Sequence, residues 1–109
     1  MTDRTISREG TQAVVTLGEN LVASNVLEVR NELRNLLQEG VVAVVIDMVH
    51  VEMLDSSGIG CLVAAHNSLS KKGGSLMIFN ASPNIYELFK SMRLDRHFSI
   101  MPANAERTQ

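Results

Sequence analysis

Apolar residues recur along this chain with two different spacings. Thr11 to Leu17 is rich in Val and Thr and predicts a strand, and Arg4 to Ser7 predicts a shorter one, the two joined as a hairpin through Glu9-Gly10. From Val26 the spacing becomes helical. Val26, Val29, Leu33, Leu36 and Leu37 share one face, Asn25 with Glu28 three positions on resembles a capping box, and Gly40 is a natural stop. This predicts a helix over Val26 to Glu39.

Val41 to Asp47 is a β-branched apolar run ending in an acid, which predicts a central strand covered on both faces. A turn-like stretch from Met48 to Leu54 leads into Asp55-Ser56-Ser57-Gly58. A second helical pattern follows, with Ile59, Leu62, Val63, His66 and Leu69, and it ends at Lys71-Lys72-Gly73-Gly74, where cations suit the helix dipole. Ser75 to Asn80 predicts another strand. Ser82-Pro83 is a helix start, with a hydroxyl to accept an orphan N–H and a proline at the first helical position. That helix runs to about Met92 and is expected to bury Ile85, Leu88, Phe89 and Met92. Phe98-Ser99-Ile100 predicts an edge strand, and residues 103–109 a flexible tail.

The order ββαβαβα is that of an α/β domain: a mixed sheet of about four to five strands with packed, right-handed crossover helices. The length of 109 residues fits one domain over 1–109, with a core of about 3–101.

Charge removes some partners from consideration. Ten Lys+Arg against twelve Asp+Glu give a net −2, with neither sign gathered into a run, and there are three Phe, one Tyr and no Trp. Nucleic acid binding needs clustered cations and, for single strands, stacking aromatics, so no direct nucleic-acid partner is expected. The longest apolar run, Val41 to Ile46, is far too short to span a bilayer, and no membrane insertion is expected. The single cysteine, Cys61, excludes an intrachain disulfide and a Cys-x-x-Cys framework, which fits a reducing, cytoplasmic compartment. His50, His66 and His97 are not paired at metal-ligand spacing, so neither a metal nor a cofactor is expected.

The chemistry concentrates at the strand-to-helix junction Met53-Leu54-Asp55-Ser56-Ser57-Gly58-Ile59-Gly60. A carboxylate and two hydroxyls arrive where a helix begins, and the unpaired N–H groups and dipole of that end stabilise an oxyanion. One reading is a phosphorylatable serine; the other is that Asp55 or Ser56 is simply an N-cap. A nucleophile elbow needs glycine two positions before the serine, where Leu54 or Asp55 stands, and a dinucleotide loop needs a third glycine where Val63 stands. A Ser56-based hydrolase would lack an assigned base, so the chain is expected not to be an enzyme.

These residues resemble a known family. The strand ending in Asp47, Met53-Leu54-Asp55-Ser56-Ser57-Gly58-Ile59-Gly60, Gly18-Glu19 before the first helix, Lys72-Gly73-Gly74 before a strand and the closing Leu88-Phe89-Lys90-Ser91-Met92-Arg93-Leu94-Asp95 are similar to the STAS-domain anti-sigma-factor antagonists of bacteria. The resemblance covers nearly the whole chain. It implies a STAS domain that binds an anti-sigma factor with serine kinase activity while unphosphorylated, releasing a sigma factor, and lets go when phosphorylated; a serine phosphatase reverses the modification. It implies Ser56 as the acceptor, with Ser57 second, and Asp55, Ser57, Gly58 and Gly60 as the shaping residues of the motif. Asn20, Ser24, Met53, Leu54 and Ile59 are candidate partner contacts, and the free chain is expected to be a monomer. Many members carry Gly-Glu-Leu-Asp before the first helix, whereas this chain reads Gly18-Glu19-Asn20-Leu21, leaving Asn20 or Ser24 to supply a polar group there. That departure favours an alternative: a constitutive or ligand-sensing STAS interaction module not controlled by phosphorylation.

Overall fold

The computed structural model describes residues 4–102, so the expected tail at 103–109 lies outside the described residues. β1 (Arg4–Glu9) and β2 (Gln12–Leu17) form the expected hairpin, antiparallel and in register from Arg4 opposite Leu17 to Glu9 opposite Gln12. Gly10 turns the chain at φ 63°, a left-handed conformation that costs glycine nothing. α1 (Val26–Gln38), β3 (Ala43–Asp47), α2 (Ser56–Lys71), β4 (Ser75–Ala81), α3 (Pro83–Ser91), a 3₁₀ turn (Leu94–Arg96) and β5 (Ser99–Pro102) follow. The sheet order is β1-β2-β3-β4-β5, with β2 through β5 parallel.

Each crossover steps to the next strand in the same direction. With the right-handed sense that βαβ units adopt, this puts all three helices on one face of the sheet. Burial agrees: Ala13, Val15, Val44, Ile46, Leu76 and Ile78 are at most 2% exposed, while Val14, Val45 and Met77, aligned side by side on the other face, are only half-buried. β3 is therefore central, as expected, but it is covered on one face rather than two. One core holds the layers together, with Phe89, Leu62, Leu69, Ile46 and Ile78 fully enclosed.

Two local expectations are corrected. Asn25 makes no capping bond to α1; its side chain turns back, accepting from the Val22 N–H (2.9 Å) and donating to the Asn20 carbonyl (2.6 Å), so the Asn25/Glu28 capping box does not form. Met92 is not buried: it follows the last residue of α3 and is 48% exposed. The Ser82 expectation holds, since its hydroxyl accepts from the Ile85 N–H at 3.3 Å with Pro83 in the first turn.

Candidate functional site

Parallel strands bring their C-terminal ends to one edge, and from that edge the connections 18–25 and 48–55 lead into α1 and α2. Those connections are bonded to each other. Leu21 and Leu54 form a single parallel bridge, and the Asn20 side-chain oxygen accepts from the N–H groups of Glu52 (2.7 Å) and Met53 (3.0 Å). Asn25, buried behind them, holds the turn 20–25 in shape. The acid ending β3 staples the same edge: Asp47 Oδ1 accepts from the Val49 N–H (3.1 Å) and from Asn80 Nδ2 (2.9 Å).

α2 starts against this frame, and Asp55 is its cap. Oδ1 accepts from the Gly58 N–H (3.0 Å), while Oδ2 accepts from the Ala23 N–H (3.0 Å) across the gap between the two connections. These donors, Gly58 first and Ala23 second, hold the Asp55 carboxyl below the usual carboxylate range. Gly58 is required by contact: a Cβ there would lie 2.4 Å from the Leu21 carbonyl oxygen. Gly60 has no such role, because a Cβ on it would meet nothing within 4 Å.

With Asp55 as the cap, Ser56 and Ser57 become the first two residues of the helix. Ser56 is exposed and Ser57 half-buried, and no hydrogen bond ties either hydroxyl to another described residue. They share a pocket of about 340 Å³ with Val26 and Arg30 from α1 and with Gly60 and Cys61. A groove of about 410 Å³ between the helices shares Arg30 and Cys61 with it and is also lined by Arg34, Ala64, Ala65, Lys71 and Lys72, with no carboxylate among its lining residues. Lys72 also donates to the Leu37 carbonyl (2.9 Å), covering the end of α1. Burial pushes the Cys61 thiol up, with the Arg30 charge pulling the other way, so Cys61 behaves as a small packed residue rather than as a thiolate.

Among the other residues expected at the site, Met53 is 55% exposed and Ser24 is exposed, both beside the motif; Leu54 is 8% exposed and belongs to the core, and Ile59 is half-buried against it. Asn20 supplies the bonds just described, a scaffolding part. Sequence reasoning missed Leu27, 63% exposed on the first turn of α1 next to Val26, and Arg30. An isolated leucine off the apolar stripe carries no signal in a sequence. The cations of the groove come from two distant segments and never form a run. Among the described residues no group of three His, Cys, Asp or Glu could hold a metal ion, and no helix is long and apolar enough to cross a membrane.

Comparison with known proteins follows this architecture. The STAS domain model matches residues 4–106. No curated protein matches the sequence. Solved structures do: a Thermotoga maritima protein provisionally assigned as an anti-sigma factor antagonist is 18% identical with a TM-score of 0.85, over 90% of this chain and 85% of that one. An anti-sigma factor antagonist from Mycobacterium paratuberculosis is 20% identical with a TM-score of 0.81, over 94% and 86%. The Bacillus cell fate determinant SpoIIAA in its phosphorylated form is 20% identical with a TM-score of 0.73, over 90% of each chain. At such identities the likeness is one of fold. The family model, covering almost the whole length, settles the kinship: the chain belongs to the STAS domain family.

Proposed function

We propose that this chain is an anti-sigma-factor antagonist switched by phosphorylation of Ser56. Unmodified, it binds an anti-sigma factor with serine kinase activity and frees a sigma factor in the bacterial cytoplasm; modified, it releases its partner until a serine phosphatase restores the hydroxyl. It serves as a binding partner and substrate rather than as a catalyst.

The observation that carries this reading is the placement of Ser56: an exposed hydroxyl, bonded to no other described residue, on the first turn of a helix whose cap and approach are fixed by Asp55, Gly58 and Asn20. A kinase can reach it without unfolding anything. The Ser56 oxygen attacks the γ-phosphorus of the kinase's ATP, the bond to ADP breaks, and the hydroxyl proton passes to the kinase. The product carries about −1.5 to −2 charge and three acceptor oxygens. At a helix N-terminus that charge is tolerated by the fold. In an interface formed by neutral Ser56, Ser57 and the exposed apolar Met53 and Leu27, the same charge must be desolvated, and affinity falls.

The alternative, a constitutive or ligand-sensing module, is favoured by Asn20, a neutral scaffold residue near the place where many relatives carry an acid. Wild type, Ser56→Ala and Ser56→Asp separate the two when used as baits in native lysate after each is checked for folding. The switch predicts an ATP-binding serine kinase retained by wild type and Ser56→Ala and reduced at least tenfold on Ser56→Asp. Equal retention of one partner by all three baits would transfer the conclusion to the constitutive module.

A further inference from the structure

We propose that Arg30 is the receiver of the phosphoryl group on Ser56, so that the modified α2 is tied to α1 within the same chain. The proposal rests on Ser56 as the acceptor and adds what the phosphate touches.

Arg30 is the one charged residue among those lining the pocket that contains Ser56 and Ser57. The walls are otherwise small or apolar, and the bare Gly60, one turn after Ser56, leaves open space above the helix where a phosphoryl group needs room. The carboxylate nearest in sequence, Asp55, has both oxygens bonded, one to the Gly58 N–H and one to the Ala23 N–H. Arg30 is exposed on α1, so its side chain is not locked in the core. Arg30 lines this pocket together with Ser56, Gly60 and Cys61, which sets it beside the first two turns of α2.

A guanidinium suits the task because its planar donors match two phosphate oxygens at once, and the positive end of the α2 dipole adds to the attraction. The arrangement has a consequence for the neighbouring groove. Arg30 lines both spaces, so a phosphate on Ser56 withdraws one of four cations from the groove between the helices. Modification thereby changes the charge of a surface well beyond Ser56.

The test is a ³¹P NMR titration of the full chain carrying phosphoserine at position 56, installed during translation. The second ionisation of phosphoserine lies near pH 6, and a close cation lowers it. The phosphate is expected to titrate about half a pH unit or more lower in the otherwise wild-type chain than in Arg30→Gln. Arg30→Lys should keep most of the shift, and Arg34→Gln, one turn further along the groove, should titrate as wild type. Coincident curves for wild type and Arg30→Gln would overturn the assignment, as would an Arg34→Gln effect equal to that of Arg30→Gln, which would mean a diffuse field rather than a receiver. Because the phosphate is installed without a kinase, this result stands apart from the bait experiment: failure here removes Arg30, and failure there removes the switch.

Discussion

The starts of α2 and α3 use the same device and serve different ends. Asp55 and Ser82 both sit in extended backbone, and each accepts from the N–H three residues on, Gly58 at 3.0 Å and Ile85 at 3.3 Å. At α3 the cap is followed by Pro83 and by Ile85, which is 2% exposed, so that helix start packs directly into the core. At α2 the capping residue has a second oxygen, which reaches Ala23 in another connection, and the third helical residue is a glycine pressed against the Leu21 carbonyl. A cap by itself therefore does not make a site. What distinguishes α2 is that two connections are bonded to the helix start and to each other, leaving two small hydroxyl residues displayed on a rigid frame.

Substitutions that separate the two helix starts sharpen the contrast. The largest effect on stability is expected from Gly58→Ala. Its Cβ must displace the Leu21 backbone, and overpacking of this kind costs roughly 1–3 kcal/mol, read by urea denaturation. Ser82→Ala should cost about 1 kcal/mol, the usual loss of a cap, and leave partner capture unchanged. Gly60→Ala reverses the sign: with open space around it, alanine is expected to stabilise α2 by about 0.5–1 kcal/mol in the same experiment.

The smallest effect is one of pH. The Asp55 carboxyl ionises more readily in the folded chain than in the unfolded one, so its stabilisation is complete above the unfolded value and is lost as pH falls through the folded one. Wild type should exceed Asp55→Asn in stability at pH 7, and the gap should narrow as the pH drops below about 4. A gap independent of pH would mean that the carboxylate charge is not what holds the two connections.

Much of this fold is legible in the sequence because its elements have sharp local signatures: Gly10 at the hairpin, Ser82-Pro83 at α3 and the cations and glycines after α2. The sequence is silent where distant segments decide. The run Val41 to Ile46 looks the same whether one face or two is covered, and only the common direction of the crossovers leaves Val45 half-exposed. Asn25 has the identity of a cap, but the turn it belongs to needs its side chain more than α1 does. Asp55-Ser56-Ser57-Gly58 marks the candidate site, yet whether Asp55 or Ser56 caps the helix depends on the Ala23 N–H from the other connection. Arg30 could be found only once α1 was laid beside α2.

The proposed switch requires that Ser56 be the residue whose charge changes in the cell. The most direct test is phosphosite mapping by mass spectrometry of the chain recovered from its own cells across growth phases and stresses, with fragment ions that separate Ser56 from Ser57. A phosphorylated fraction at Ser56 that rises and falls with conditions is the expected result. A chain free of phosphate throughout, or modified only elsewhere, would contradict it.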